Sequence, residues 1–221
     1  MSITEPEHFI RSARTTPTRH RERAAWDRAT IHAILDEGYY CHLGFVVDGG
    51  PVVLPTIYAR VGDRLYIHGS TGSRPLRGAT DPGIRVCLTV TLVDGLVLAR
   101  SAFNHSLNYR SVVAHGIAHR VTDPTELTIA LNALVDQAVP GRSADCRPAD
   151  DRELAATAVL RLDLDEVSAK CRGGGANDDP QDLDLPYWAG VVPVRSVRDT
   201  PVPHPALPPE QPLPAYLRDA H

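Results

Sequence analysis

The sequence predicts a mainly β protein, an antiparallel barrel that is closed or split and flanked by two or three helices. Three observations carry this. Six or seven segments have strand character. Turn signals rich in Gly, Asp and Pro separate them. The strands follow one another instead of alternating with helices as a parallel βαβ sheet requires, and barrel closure removes the exposed edges such a set would leave.

The elements follow in order. Residues 1–25 are charged and aperiodic, and read as an N-terminal arm, on a partner subunit if one is present. Asp27 is placed as an N-cap, Ile31, Ile34 and Leu35 recur at helical spacing, and Gly38 ends a first helix. The run YYCHLGFVV reaches Asp48-Gly49-Gly50, a hairpin turn, and PVVLPTIYAR returns. Val61-Gly62-Asp63 turns again into RLYIHG. Pro55 lacks an N–H, so it marks an edge, a bulge, or a place where another molecule replaces a strand neighbour. Ser73 to Thr80 reads as a short helix stopped by Asp81-Pro82-Gly83. From Ile84 to Leu92 apolar and polar residues alternate, so one face is core. Asp94-Gly95 reads as a turn into LVLARSA, FNHSLNYR as a polar interruption, and SVVAHGIAHRV as the next strand. Asp123 and Pro124 open a helix with Leu127, Ala130, Leu131, Leu134 and Val135 on one face. A loop rich in Pro and Asp precedes TAVLRLDLDEVSAK, the last strong strand. Gly173-Gly174-Gly175 starts an acidic loop, YWAGVVPV is short and apolar, and a proline-rich tail occupies 199–221. The domain is therefore expected over 26–198.

Composition narrows the function classes. The chain has 221 residues, 43% hydrophobic and 23% charged, with a net charge of -4. That length buries a core without disulfides. The charge gives no reason to expect nucleic acid or an anionic membrane as partner. The N-terminus has no apolar signal core, and no window approaches ~20 apolar residues. The four cysteines form no CxxC pair. Together these point to a cytoplasmic protein with ordinary reduced thiols.

The stretch LYIHGSTGSRPL carries the first chemistry. Ser70, Thr71 and Ser73 offer hydroxyls, Gly69 and Gly72 allow close backbone approach, and Arg74 adds a cation. These groups hold a phosphate; they also make an ordinary exposed turn. Neither a Walker loop nor GxGxxG is present. His68 precedes this loop. His115 and His119 are spaced for chelation on a helix, but they fall in a strand, where four residues span ~13 Å, and no metal site is expected there. No GxSxG elbow or carboxylate pair points to hydrolysis. Asn108, Tyr109, Arg110 and Ser111 place an amide, a phenol, a guanidinium and a hydroxyl in succession. Trp188 is either a plug at one end of the barrel or a wall against a flat ligand.

In combination, VLPTIYARVGDRLYIHGSTGSR, RVCLTVTLVDGLVLARSAF, NYRSVVAHGIAHRV and WAGVVPVR resemble, in order, the FMN-binding split-barrel superfamily, called pyridoxamine 5'-phosphate oxidase-like. The nitroimidazole-resistance-type flavoproteins are the nearest branch, and the resemblance covers about 27–198. It implies a six-stranded antiparallel split barrel of Greek-key type, forming a homodimer with FMN between subunits. Leu54, Pro55 and Thr56 would then follow the flavin ring edge, and His68, Gly69 and Ser70 the ring and ribityl chain. Ser70, Thr71 and Arg74 would approach the phosphate. Asn108, Tyr109, Arg110 and Ser111 would complete the cleft from the other subunit, and Trp188 would cover the ring. Relatives commonly carry Arg-Lys at the loop's end, where this chain has Arg74-Pro75. Arg77 or Arg110 then supplies the second charge, or the phosphate is held less tightly. The implied activity is FMN-dependent hydride transfer to or from a small organic substrate. His68 is the proton donor, and Arg110 or backbone N–H groups would stabilise the reduced flavin's charge. A flavin-binding module without catalysis and a haem-binding split barrel are the alternatives.

Overall fold

The structure is a computed structural model that describes residues 7–72, 83–208 and 210–218. The predicted helix at 73–80, with Arg74, Pro75 and Arg77, lies outside the described residues. Among those described there are nine strands: β1 (Ala24–Ala25), β2 (Tyr40–Val47), β3 (Gly50–Val61), β4 (Arg64–Ser70), β5 (Ile84–Leu98), β6 (Ser106–Arg120), β7 (Thr157–Asp163), β8 (Glu166–Arg172) and β9 (Gly190–Pro193). The helices are α1 (Arg28–Glu37), α2 (Pro124–Ala138), α3 (Asp151–Ala156) and α4 (Ala215–Arg218). All strand pairings are antiparallel. Six strands close a ring in the order β6-β7-β4-β3-β2-β5, and β5 returns to β6. β8 and β1 extend one side, and β9 borders β5.

Local chemistry explains the best-defined elements. The Asp27 carboxylate accepts from Thr30 N–H at 2.8 Å, and Asp123 does the same for Glu126 at 2.7 Å. Each satisfies a donor that a helix start leaves unpaired. The β2–β3 loop is Asp48-Gly49, with φ of 50° and 78°. Positive φ at both positions matches the right-handed twist of the flanking strands.

The barrel interior holds Leu43, Leu65, Ile67, Val86, Leu88, Val90, Val112, Ala114, Leu160 and Leu162, with Ile31, Ile34 and Leu35 of α1 joining them. Those three α1 side chains stabilise its docking by about 1.5–3 kcal/mol each. α2 lies outside the ring. Its Ala130 meets Tyr66, Val121 and Val159, which point away from the interior.

Several expectations are corrected. Asp94-Gly95 is not a turn: β5 runs through it with a bulge between Val93 and Gly95. The chain continues because β9 pairs with Gly95–Leu98, and a Cβ at Gly95 would stand 3.0 Å from a Val191 methyl. FNHSLNYR is mostly strand; only Ala102–Asn104 forms a short 3-10 turn. TAVLRLDLDEVSAK is two strands, since Leu164 is buried and donates its N–H to Asp63 O at 2.9 Å, turning the chain back. The Pro- and Asp-rich loop contains α3, started by a reciprocal Asp150–Glu153 capping box. The N-terminal segment is not detached from its own subunit. Phe9 is buried in the barrel core cluster, and Ala24 and Ala25 pair with Lys170 and Ala169. The C-terminal segment folds back as well: Arg198 donates to Ala138 O at 2.8 Å, and Tyr216 to Asp145 at 2.7 Å.

Candidate functional site at the barrel split

The ring of strands has an opening that the registers define. β3 pairs with β2 over Gly50–Ile57 but with β4 only over Tyr58–Val61. β4 continues past Ile67, with His68, Gly69 and Ser70 held by β7 alone. Two strand edges therefore diverge from the Tyr58–Ile67 pair. One carries Leu54, Pro55 and Thr56; the other carries His68, Gly69 and Ser70. Leu54 is paired with Leu43, so both face the same side, yet Leu43 is 3% exposed and Leu54 41%. The barrel is open at that point. Pro55, which offers no N–H, costs no ladder bond on such an edge.

This opening gathers the first group of expected residues. His68 and Ser70 are exposed and Gly69 half-buried. Two local bonds consume part of the loop's capacity for an anion. Thr71 N–H donates to Ala156 O at 3.1 Å, and Gly72 N–H donates to the Ser70 hydroxyl at 3.2 Å.

The second group lies elsewhere on the same chain. Ser111 is opposite Thr91 on β5, and β6 is three strands from β3. At ~4.8 Å per strand that is roughly 14 Å along the sheet. Tyr109 and Ser111 share the outer face. The Ser111 hydroxyl donates to Lys170 O at 3.1 Å. Asn108 is buried, accepts from Arg172 and donates to Gly174 O at 3.0 Å. The Arg110 guanidinium is engaged by two carboxylates. It donates to Asp94 at 2.7 and 3.0 Å and to both oxygens of Glu37. Glu37 is held below the usual carboxylate range by the Arg110 hydrogen bonds, and Arg110 is pushed up by Glu37 and then Asp94. The cluster carries a net negative charge. Within one subunit Arg110 is a brace between α1 and β5.

Trp188 is 67% exposed. A Cβ on Gly190 would meet its ring at 2.8 Å, so the indole lies over that glycine. Gly190 pairs with Leu98 at the far end of β5. Trp188 thus covers an outer face instead of plugging the barrel.

Sequence reasoning missed the loop that positions this tryptophan. The Asp178 carboxylate accepts from Arg100 N–H at 2.8 Å and from the Arg100 guanidinium at 2.6 Å. These bonds hold Asp178 below the usual range. The acidic run was a visible signal; its partner, 78 residues away, was not.

Other groups carry less. His115 and His119 both fall in β6, and no cluster of three or more His, Cys, Asp or Glu suited to a metal occurs among the described residues. The Cys41 thiol, buried in the core, is pushed up to about 12 by desolvation and is inert at neutral pH. No helix among the described residues is long and apolar enough to cross a membrane.

The pattern of a family described as pyridoxamine 5'-phosphate oxidase matches residues 27–171. The chain is similar to the flavocytochrome Anf3 from Azotobacter vinelandii, at 39% identity and a TM-score of 0.88, over 95% of this chain and 97% of that one. It is similar to the FAD and haem binding protein from Mycobacterium smegmatis, at 36% identity and a TM-score of 0.84, over 90% and 97%. A protein from Bacteroides thetaiotaomicron VPI-5482, described as a 5-nitroimidazole antibiotic resistance protein, shares the fold at 21% identity and a TM-score of 0.56, over 66% and 85%. Comparison with curated proteins returns no match.

Proposed function

The chain belongs to the pyridoxamine 5'-phosphate oxidase family, and from that premise we propose that it is a homodimeric oxidoreductase binding both a flavin and haem. One observation carries the reading: similarity at 39% and 36% identity, across nearly the whole chain, to a flavocytochrome and to an FAD and haem binding protein. FAD replaces FMN as the proposed flavin because the second relative is named for FAD. A homodimer is proposed because the two groups of site residues sit about three strands apart in one subunit, so that a second copy would have to bring the Tyr109 and Trp188 group to the open split.

The residues present fit a flavin. The split offers two unpaired backbone edges, an exposed apolar Leu54, and hydroxyls and glycines at 69–72. When bound, a flavin supplies hydride chemistry and haem supplies one-electron transfer. The protein's part is positioning. Leu54, Pro55 and Thr56 align the ring edge. Gly69, Ser70 and Thr71 hold the polar chain, with Arg74 proposed at the phosphate. His68, exposed at the rim, holds the proton for a small-molecule substrate at an imidazole nitrogen. Trp188 limits water access.

The test is the visible spectrum of the purified protein, with extraction of the flavin. Flavin and Soret bands together, FAD on extraction and a dimer by light scattering are expected. A Soret band without flavin, or a protein that stays colourless after added FAD and hemin, overturns the proposal. Extracted FMN returns the cofactor to the one the sequence motifs suggest. Full flavin occupancy with normal turnover in His68→Ala removes the proton role.

A further inference from the structure

We propose that Tyr216 is a positioning residue for Trp188: seated beside the end of α2, it anchors a C-terminal strap that keeps β9, and the indole just before it, in place on β5. The covering of a flavin by Trp188 rests on the reading above; the anchor itself does not. The strap comprises residues 194–208 and 210–218, and none of these is buried. Val197 and Val202 are 82% and 91% exposed. Cavities of about 290 and 660 Å³ remain between it and the body, and Pro201 and Leu217 border both. Apolar burial therefore does little to hold the strap, and its attachment falls to a few directed contacts.

Three contacts do so. Val194 N–H donates to Asp94 O at 3.1 Å, one step beyond the Pro193–Gly95 pair of β9 and β5. Arg198 donates to Ala138 O at 2.8 Å. That carbonyl ends α2, where intrahelical donors run out and a cation is favoured. Tyr216 is the third. Its hydroxyl donates to Asp145 at 2.7 Å and accepts from Arg142 at 3.1 Å. Its ring lies over Gly141, where a Cβ would stand 3.9 Å from it. Gly141 has a φ of 86°, which turns the chain after α2 and suits glycine alone among common residues. The phenol thus fills a socket of bare backbone, guanidinium and carboxylate.

The link to the site follows from what β9 lacks. It is four residues long, contains no buried residue, and among the described strands pairs with β5 alone. So short an edge strand is poorly held by its own pairing. Two ties flank it instead: the Arg100–Asp178 bonds before Trp188, and the strap after Pro193. Between Arg198 and Tyr216 the chain carries Pro201, Pro203, Pro205, Pro208, Pro212 and Pro214. Each fixes its own φ, so this stretch has little slack and passes the loss of one anchor to the next. When Tyr216 leaves its socket, Arg198 and then Val194 lose support. β9 frays from its C-terminal end, and the indole over Gly190 loses its seat.

The test is hydrogen exchange in the full-length protein as purified, comparing wild type with Tyr216→Ala. Exchange at the Val194 amide and through β9 is expected to rise roughly tenfold, as loss of hydrogen bonds to charged groups implies. Amides of β4, inside the ring, should accelerate far less. Arg198→Ala, at the other anchor, should speed Val194 in the same direction. In protein loaded with FAD, release of the flavin on dilution should quicken severalfold in Tyr216→Ala. Wild-type protection at Val194 in Tyr216→Ala overturns the anchor. So does equal acceleration in β4, which marks a general loss of stability. Faster exchange with wild-type flavin release overturns the link to Trp188. Wild type that binds no flavin overturns the flavin reading, and the exchange comparison still decides the anchor. Should Tyr216→Ala misfold, Tyr216→Phe, which removes the hydroxyl alone, supplies the same comparison.

Discussion

Tyr58 sits at the pair from which the split diverges, and removing its hydroxyl tests how that point is held. The side chain is fully buried, and its hydroxyl donates to Leu35 O at 2.6 Å. That carbonyl belongs to the last turn of α1, where intrahelical donors run out. Gln137 of α2 supplies a second donor to Leu35 O at 3.0 Å and also reaches Asp36 O at 3.2 Å and Gly38 O at 2.6 Å. Tyr58→Phe leaves the Leu35 carbonyl with one partner, so the expected cost is about 1 kcal/mol. Gln137→Ala removes an amide whose two N–H groups are shared among three carbonyls, only that of Asp36 on an exposed residue, and costs about 1–2 kcal/mol. The double variant leaves Leu35 O with neither of these donors, and the desolvation penalty of about 1–3 kcal/mol then appears in full. The two changes should therefore exceed additivity by about 1 kcal/mol. Urea unfolding at fixed protein and cofactor concentration reads this as a fall in midpoint with m unchanged. Each kcal/mol should lower Tm by about 2–4 °C. A strictly additive double variant, or Tyr58→Phe with wild-type stability, would refute the argument that both donors serve one buried carbonyl.

Three further outcomes follow from the same structure. His115 is held below its ordinary value, first by burial and then by Arg14, with Glu166 opposing; the unfolded chain binds its proton first, so stability declines as pH drops below about 6.5, and His115→Gln should flatten the urea midpoint between pH 7.5 and 5.5. Asp178→Ala should speed hydrogen exchange at the Arg100 amide, and unchanged protection would mean the carboxylate does not brace the loop. Because Arg100 holds Asp178 low, the wild-type bond persists as pH falls until that depressed value is reached, and Arg100 protection should decline only there. Gly116→Val places a Cβ 2.6 Å from a Leu162 methyl inside the barrel, so overpacking should cost about 1–3 kcal/mol in urea unfolding, and a neutral result would show that Leu162 can swing aside.

Legibility followed the range of the interactions. Asp27, Asp123 and Pro124 act within one helical turn, and both helix starts were readable. The alternation from Ile84 to Leu92 reported its buried face directly. Asp94-Gly95 misled because the same dipeptide serves a hairpin or a bulge, and only β9 lying alongside excludes the turn. Leu164-Asp165 hid a turn because Leu164 is apolar, and its partner is Asp63 on another hairpin. The family resemblance set LPT and HGST beside one ligand, and the registers place both on the edges of the split. The condition of Arg110 could not be named in advance, because Glu37 is 73 positions away.

The sequence by itself determined the class, the helices α1 and α2 and the β2–β3 hairpin, because caps, turns and alternation depend on neighbours a few residues apart. Tertiary structure alone decided where the barrel opens, which cations are already neutralised, and which faces stay bare. Those depend on strand register and on partners joined only when the ring closes. The bare outer face that joins Leu96, Leu107 and Val192 exists only once β9 has aligned against β5.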